Sequence, residues 1–350
     1  MGPSVATVSA LLVLLATSCS GPATGSAVAS PAASKVTASP APTPATALAV
    51  VFGGAPQEQS LAIVGSDGKV LGKASSRRRS GDFGFQPWVS TSNTAAYYLD
   101  GDSALMRLRP GGSPERIRDL PGTSSVHAVF SVSPDDRRIA IALLTYGPTP
   151  SGPGMASANY QGMKLYVEDL AGSNHVDLFA SATAVEWPVG WHGGDLVIAV
   201  SLSQVPGLGL DPFPYFAFRG IQVADAATGA RKASLCSSIG EHGPATPAGV
   251  LCNSSVRSDW AGAETPTGVP SCVIGLLQPG GTAIACEDRL WSGGSSRPLP
   301  AQPIGWVGPG HLVLRAPSGL EVFDIASGAT QPLDTPLTFG SSALSIPGGL

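Results

Sequence analysis

The sequence predicts an all-β protein, a β-propeller with six blades, and three observations lead to this fold class. A short apolar strand, a tight polar turn and a second strand recur six times, most clearly from Leu165, Ile221 and Leu320. Alternating segments that run into an Asp/Gly turn are typical of β-hairpins. Each hairpin follows an inner strand and a strongly apolar strand, so one repeat holds the four strands of a propeller blade. Glycine (44) and proline (32) are scattered, as expected of many short strands joined by turns.

The N-terminal segment, residues 1–18, is predicted to be a lipoprotein-type signal peptide. Residues 5–16 are apolar but too few to span a bilayer. The segment Leu15-Ala-Thr-Ser-Cys19 resembles the lipobox of bacterial lipoproteins, in which small residues precede the cysteine that becomes the lipidated first residue. The resemblance implies lipidation of Cys19 and an extracytoplasmic, membrane-anchored protein, although Ala16 replaces the usual Leu and no Lys or Arg precedes the apolar run. Ordinary signal cleavage with secretion is the alternative.

Residues 19–46 contain mainly Ala, Pro, Ser, Thr and Gly, and Lys35 is their only charged side chain. Such a segment cannot bury enough apolar surface to fold, so we predict a disordered tether before the propeller domain, residues 47–350. The net charge is −4 and only 13% of residues are charged, so nucleic acid is not expected as a partner. The excess of Arg (15) over Lys (5), with abundant Ala, Gly and Pro, indicates a high-GC bacterium of actinobacterial type.

The first blade lacks an inner strand, and the C-terminal residues are expected to supply it. Residues 48–52 and the hairpin that begins at Leu61 give this blade three strands. Residues 341–346 form a strand that belongs to no other blade. We predict that this strand joins the first blade, closes the ring and removes an unpaired edge. Seven blades are the alternative, because residues 236–260 are long enough to contain a further blade.

The segment Ser131-Val-Ser-Pro-Asp-Asp-Arg-Arg-Ile-Ala140 closely resembles the Ser-Pro-Asp-Gly-Arg-Arg-Ile-Ala motif of TolB-like (WD40-like) propeller repeats. In that family the Pro-Asp turn joins the two inner strands of a blade, and the resemblance implies the same position here. Asp136 stands where the family has Gly, a position that Asp tolerates better than most residues. TolB carries a separate α/β domain before its propeller, where this sequence has the tether. The resemblance therefore implies the fold and not TolB's role in envelope constriction.

The five cysteines agree with an oxidising compartment. Lipidation of Cys19 would leave four, which suggests two disulfides. The segment from Cys272 to Cys286 is predicted to be a hairpin that turns at its midpoint, and this register places the two cysteines opposite each other. Cys236 would then pair with Cys252. Zinc is the competing interpretation, but the sequence offers no CxxC motif and no nearby His.

Three long insertions are predicted to share one face of the propeller. Loops between second and third strands lie on the same face as the connections between blades, and residues 145–162, 203–219 and roughly 234–270 fall at such positions. Loops of this length are uncommon unless they are functional or disordered. Aromatic side chains on such loops are typical of binding surfaces. The predicted ligand-binding or partner-binding residues of this loop face are Tyr146, Tyr160, Phe213, Tyr215, Phe216 and Trp260. The alternative is that residues 211–216 pack onto their own blade.

Other conspicuous residues are interpreted structurally. The sequence contains no GxSxG, HExxH or GxxxxGK[ST] motif, and we predict no catalytic residue, metal or cofactor. The acidic pairs of residues 100/102 and 135/136 fit turn chemistry better than calcium binding. Residues 77–79, three arginines, are expected to form a solvated connection. Packing between blades is predicted for Trp187, Trp191 and Trp306.

The sequence therefore favours a non-catalytic binding or scaffold protein of the cell envelope, with an envelope protein or a cell-wall glycan as its partner. An extracellular hydrolase or lyase is the alternative, because propellers host such activities around the central channel. Acidic residues with shifted pKa values at the channel mouth would favour the enzyme, whereas apolar and small residues there would argue against it. A third hypothesis is a structural or sensory module that dimerises through the propeller.

Overall fold

Antiparallel sheets around a central channel make up the structure, a computed structural model that describes residues 47–54, 58–80, 87–147, 160–201, 218–236, 242–252, 255–270, 275–335, 342–346 and 348–350. The described residues form strands and no helix. Val, Ile, Leu and aromatic side chains, which suit a pleated surface, are buried on both faces of most inner strands. The predicted signal peptide, the tether and Cys19 lie outside the described residues.

The described strands, numbered β1 to β27 in chain order, form seven blades. From the channel outward, blade 1 contains β27 (Ser342–Ile346), β1 (Leu48–Gly54), β2 (Glu58–Gly65) and β3 (Val70–Arg77). Blade 2 contains β4 (Val89–Thr91), β5 (Ala96–Asp100), β6 (Ala104–Leu108) and β7 (Glu115–Asp119). Blade 3 contains β8 (Val126–Val132), β9 (Arg138–Tyr146), β10 (Tyr160–Asp169) and β11 (Val176–Ser181).

The other four blades follow the same order. Blade 4 contains β12 (Glu186–His192), β13 (Asp195–Ser201), β14 (Phe218–Asp225) and β15 (Arg231–Leu235). Blade 5 contains β16 (Val250–Cys252), β17 (Val256–Ser258) and β18 (Glu264–Pro266). Blade 6 contains β19 (Gly275–Leu277), β20 (Ala283–Cys286), β21 (Arg289–Ser292) and β22 (Ser295–Pro298). Blade 7 contains β23 (Gln302–Val307), β24 (His311–Ala316), β25 (Gly319–Asp324) and β26 (Thr330–Pro332).

The ring is closed by the C-terminal strand, as predicted. β27 pairs with β1 in antiparallel register, from Leu48 opposite Ile346 to Phe52 opposite Ser342. β27 thereby becomes the inner strand of blade 1, and it also packs against β23 of blade 7 and β4 of blade 2. The first blade and the last are therefore joined through one strand, which leaves no open edge at the junction.

The prediction of six blades is wrong, and the alternative count of seven is correct. The extra blade is blade 5, whose first strands fall within residues 236–260. Each of its strands is three residues long, and its inner segment contributes only the bridges His242–Cys252 and Thr246–Gly249. Three-residue strands are too short for the alternation that identifies a strand in a sequence. Blade 5 was therefore invisible to the pattern that revealed the other six.

The six predicted hairpins are the outer two strands of the six regular blades. In blades 4 and 7 the turn between the third and fourth strands has the same hydrogen-bond pattern, around Asp225 and Asp324. Asp225 accepts hydrogen bonds from the N–H groups of Ala227 and Thr228 through its side chain, and Gly229 N–H donates to the Asp225 carbonyl. Gly229 has a φ of 73°, a conformation that favours glycine. The hydrogen bond from the Ala227 N–H, followed by those from the side chains of Lys232 and Thr228, lowers the pKa of Asp225 to about 2.

Antiparallel order divides the connections between two faces of the ring. Turns between first and second strands, and between third and fourth strands, lie on one face, which we call the turn face. Loops between second and third strands, and the connections between blades, lie on the other, the loop face. In blade 3 the turn at residues 133–137 is on the turn face, whereas the ends of β9 and β10 that flank residues 147–159 are on the loop face.

Tryptophans of the inner strands join neighbouring blades, as predicted. The indole N–H of Trp191 in β12 donates to the carbonyl of Ser131 in β8, at 3.2 Å. The indole N–H of Trp306 in β23 makes the equivalent bond to Leu276 in β19, at 3.0 Å. Both rings are buried, and Trp187 is buried as well. Each bond therefore fixes an inner strand against the inner strand of the preceding blade.

Two expectations about local structure are corrected. Arg79 is not a solvated residue: it is 4% exposed, and its Nη1 donates to the carbonyl of Ala128 in β8 of blade 3 at 2.9 Å. The predicted register between Cys272 and Cys286 is also wrong, since Cys286 lies opposite Gly275. The turn spans residues 279–282, between the paired Leu277 and Ile284, rather than centring on residue 279.

Replacing Trp306 by Phe should remove one bond between blades while keeping an aromatic ring in the core. The Leu276 carbonyl would lose its buried donor, so we expect the free energy of unfolding to fall by about 1–2 kcal/mol in urea denaturation. Trp291→Phe is the control, because that ring is only partly buried. Equal losses for both variants would show that the hydrogen bond is not the stabilising feature.

Candidate functional site

The central channel is narrow, and its described lining residues are uncharged. Its remaining cavity has a volume of about 90 Å³. Inner-strand residues such as Ser90, Phe130, Val189 and Trp306 line it, together with several prolines and glycines. No Asp, Glu, His, Lys, Arg, Cys or Tyr is among its described lining residues. The described lining of the channel therefore consists of apolar, small and hydroxyl-bearing side chains.

Residues 348–350, which we call the tail, cross the turn-face mouth of this channel. The N–H of Gly348 donates to the Ser92 carbonyl at 3.0 Å, and the N–H of Leu350 donates to the Trp191 carbonyl at 2.8 Å. Nδ1 of His192 lies 2.6 Å from the Leu350 carbonyl oxygen. The tail follows β27 of blade 1 and therefore bridges blades 1, 2 and 4.

Trp260 lies beside the tail and not on the loop face where it was predicted. Its ring stacks on His192, with ring centroids 4.5 Å apart and an angle of 16° between the planes, and its Nε1 donates to the Pro247 carbonyl at 3.1 Å. The reason is that residues 234–270 are not a connection between blades but contain blade 5. In blade 5 the segment that includes His242 takes the place of the first strand, so β16, β17 and β18 are the second to fourth strands. Trp260 belongs to the turn between β17 and β18, which is therefore on the turn face.

Tyr146 and Tyr160 are on the loop face, at the base of the predicted blade 3 insertion. Their ring centroids are 6.0 Å apart, and the Tyr160 hydroxyl donates to the Ala184 carbonyl at 2.7 Å. Tyr146 is buried, and burial raises the pKa of Tyr160 to about 12. Both rings thus pack against described residues of blade 3. Phe213, Tyr215 and Phe216 lie outside the described residues.

A groove of about 920 Å³ opens on the loop-face edge of blade 3. The exposed sides of β8 to β11 line it through residues such as Val126, Leu143 and Thr145, and residues 121–123 form its rim. Its one charged lining residue among those described is Lys164, whose Nζ lies 2.9 Å from the Asp177 carboxylate. This volume is at the upper end of the range for ligand pockets, and a mainly apolar lining with few polar groups is typical of them.

The structure contains the predicted disulfide between Cys236 and Cys252, with a Cα–Cα distance of 5.1 Å, and this bond joins the end of β15 to β16. Buried His242 lies beside it, and a ring nitrogen and the two sulfur atoms fall within 4.8 Å of one another. The sequence did not reveal this His, because the bridge from His242 to Cys252 brings it into place. Two sulfur atoms joined in a disulfide cannot act as thiolate ligands, so the zinc interpretation is not supported here.

The second predicted disulfide cannot be traced in the same way. Cys286 is disulfide-bonded. Cys272, the partner predicted for it, lies outside the described part of the chain. Because Cys286 faces Gly275 across the hairpin, a bond to Cys272 would not be the directly opposed cross-strand pair that the sequence suggested.

The acidic pairs have structural roles. Asp100 binds Arg77 through two hydrogen bonds to its guanidinium, at 3.1 and 2.9 Å, and these bonds and the charge of Arg77 lower the pKa of Asp100. Asp136 has a φ of 61° at the position where the related repeats have Gly. Its carboxylate accepts hydrogen bonds from Thr94 and Tyr97 of blade 2. Asp is thus kept at a glycine-like position by contacts that Gly could not make.

A cluster of charged side chains lies on the outer side of blade 3. His175 contacts Asp177 through Nε2 at 2.6 Å and Glu168 through Nδ1 at 3.3 Å, and Arg118 pairs with Glu168. The hydrogen bond to Asp177, then that to Glu168, raises the pKa of His175. The His175 ring also packs against Tyr166, with centroids 4.3 Å apart. These contacts are those of a network that holds β10 to β11.

Comparisons with known proteins give similarity at the level of strand arrangement. The sequence matches no protein-family model and no curated protein. TolB from Acinetobacter baumannii is 15% identical over 86% of this chain and 66% of its own, with a TM-score of 0.37. A prolyl endopeptidase is 14% identical over 81% of this chain and 38% of its own, with a TM-score of 0.35. An uncomplexed acylaminoacyl peptidase from Pyrococcus horikoshii is 11% identical over 79% and 48%, with a TM-score of 0.46.

This chain therefore spans less than two thirds of each of these three proteins. With TM-scores below 0.5, the likenesses carry no argument about activity, and the propeller assignment rests on the blades themselves. None of the described residues belongs to a helix that is long and apolar enough to cross a membrane.

Replacing Cys236 and Cys252 together by Ala should destabilise the ring at the junction of blades 4 and 5. The bond closes a loop with a sequence separation of 16. We expect the free energy of unfolding to fall by about 3 kcal/mol in chemical denaturation, mainly through greater entropy of the unfolded chain. Either single variant should lose at least as much, and an unchanged free energy in the double variant would contradict the expectation.

The stability that His175 provides should depend on pH. Because its pKa is raised on folding, its contribution is fully present below the unfolded value of about 6.5 and is lost as the pH rises through the folded value. The difference in melting temperature between the wild type and His175→Gln should therefore be largest near pH 5 and shrink towards pH 9. Asp177→Asn, which removes the main acceptor, should flatten this dependence. A difference that grows with pH would reverse the assigned sign.

Proposed function

We propose that this protein is a non-catalytic binding or scaffold module of the cell envelope, anchored by a lipid on Cys19 and held away from the membrane by residues 19–46. The observation that carries the proposal is the absence of ionisable side chains among the described residues that line the channel. A propeller enzyme with its active site in the channel needs such groups, whereas a binding module needs only a rigid surface.

The blade 3 groove on the loop face supports a binding role. It is built on four paired strands, and the rings of Tyr146 and Tyr160 pack together at the ends of β9 and β10. A site on strands is held more rigidly than one on loops alone. The apolar lining around Lys164 suits an extended protein segment or the apolar face of a glycan, which are the two partner classes expected of an envelope protein.

A binding assay with matched variants tests the proposal. The propeller domain, residues 47–350, would be photo-cross-linked to envelope extract of its own organism and the captured material identified. Thr145→Arg places a long cationic side chain in the groove. A triple variant changes Phe213, Tyr215 and Phe216, the aromatic residues predicted for the loop face, to Ala. Trp260→Ala, on the opposite face, is the control.

We expect a defined protein or glycan to be captured by the wild type and by Trp260→Ala, and to be reduced at least about tenfold by the loop-face variants, a loss of about 1.4 kcal/mol. Circular dichroism would establish that each variant is folded. Capture that only Trp260→Ala abolishes would move the site to the turn face. No capture by any folded variant would contradict the binding role and direct attention to enzymatic assays.

A further inference from the structure

The contact between the tail and the turn-face mouth has the properties of a bound peptide. The N–H groups of Gly348 and Leu350 bind carbonyls at the ends of inner strands in two different blades, at 3.0 and 2.8 Å. Nδ1 of His192 is within hydrogen-bond distance of the carbonyl of its last residue. In peptide recognition, main-chain hydrogen bonds of this type provide affinity, while pockets for side chains provide specificity.

The fit also selects particular residues on both sides. A Cβ atom on Gly348 would lie closer than 3.0 Å to the backbone and Oγ1 of Thr91, which cannot move away without shifting the inner strand. By contrast, a Cβ atom on Gly349 would come only within 3.4 Å of Pro134, an ordinary contact. On the receiving side, a Cβ atom on Gly190 would collide with the side chain of Leu350. The first position of the tail therefore requires glycine and the second does not.

The side chain of Leu350 provides the apolar part of the contact. Leu350 packs against the buried cluster between blades 4 and 5, as do Val189 and Trp260. Trp260 is held by His192 and by the Pro247 carbonyl, so this wall of the site is held by contacts that do not involve the Leu350 side chain. A preorganised wall reduces the ordering cost of binding.

We propose that the turn-face mouth is a binding site for an extended peptide with glycine, a second small residue and a terminal-side apolar residue, and that the tail occupies it as an intramolecular ligand. The tail is attached within two residues of β27, so its effective concentration at the site is in the millimolar range or above. A partner peptide of the same chemistry would therefore bind only when the tail is displaced. This site is independent of the loop-face groove and of the proposed partner there.

A synthetic peptide that repeats residues 345–350, labelled with fluorescein, tests the proposal by fluorescence anisotropy. Three proteins would be compared: the full chain, a variant without residues 348–350, and full-length Leu350→Asp, in which a charge replaces the apolar contact. Two altered peptides carry Gly348→Ala or Gly349→Ala. The Gly349→Ala peptide is the matched control, because it adds the same methyl group where there is room.

We expect saturable binding to the shortened chain and to Leu350→Asp, and at least about tenfold weaker binding to the full chain. The Gly348→Ala peptide should lose at least about tenfold in affinity, equivalent to about 1.4 kcal/mol, while the Gly349→Ala peptide stays within about threefold of the original. A tail that only stabilises the ring would lower the melting temperature when removed but would create no peptide site.

Two results would overturn the proposal. One is equal binding of the peptide to the full chain and to the shortened chain, because the tail would then not occupy the site. The other is absence of binding to a folded shortened chain. If the shortened chain does not fold, Leu350→Asp tests the proposal instead, since it keeps the full backbone. Failure of folded Leu350→Asp to bind the peptide would also overturn the proposal.

Discussion

The pairing of β27 with β1 is the interaction on which the rest of the structure depends. It makes residues from the two ends of the propeller domain into one sheet, and it gives blade 1 the inner strand that its own sequence lacks. The same strand packs tightly against blade 7, where a Cβ atom on Gly305 would come within 2.6 Å of Ala343. Its direction then delivers the tail to the turn-face mouth. The pairing of β27 with β1 therefore closes the ring, supplies part of the channel lining and positions the tail.

Close packing of the inner strands explains the character of the channel. The inner strands and the inner segment of blade 5 meet around an axis, and Gly, Ala, Pro and Ser are frequent among the described residues that line it, beside larger side chains such as Phe130 and Trp306. The indole N–H groups of Trp191 and Trp306 bind the carbonyls of the preceding blade. The Gly-Trp pairs at residues 190–191 and 305–306 thus combine a close approach at the axis with a filled space beside it.

The sequence predicted the features that local patterns encode. Six outer hairpins and the closing strand were foreseen, because alternation and Asp/Gly turns act within a few residues. Apart from the packing of the tryptophans, the contacts between blades were not foreseen, since they join residues far apart in the chain. Burial of Arg79, the position of His242 beside a disulfide, and the turn-face location of Trp260 all depend on such contacts. Blade 5 escaped detection because its strands are only three residues long.

Only part of the candidate site could be foreseen for the same reason. Tyr146 and Tyr160 were assigned to the loop face from the order of strands, which can be predicted from local sequence patterns. Their side chains pack inward because of Ala184 and the core of blade 3, which no spacing in the sequence reports. The groove beside them arises from residues of four strands, and the tail contact from residues more than a hundred positions apart.

Because the strands of blade 5 are short, we expect the free energy of local opening to differ between this blade and the others. Few ladder hydrogen bonds hold this blade, so we expect its amide protons to exchange with solvent sooner than those of blades 3 and 4, as in regions that open locally below the global free energy of unfolding. The Cys236–Cys252 bond limits how far such an opening can spread towards blade 4. Local opening of blade 5 leaves β27 paired with β1, so this blade can unfold locally while the ring stays closed at the junction of blades 1 and 7.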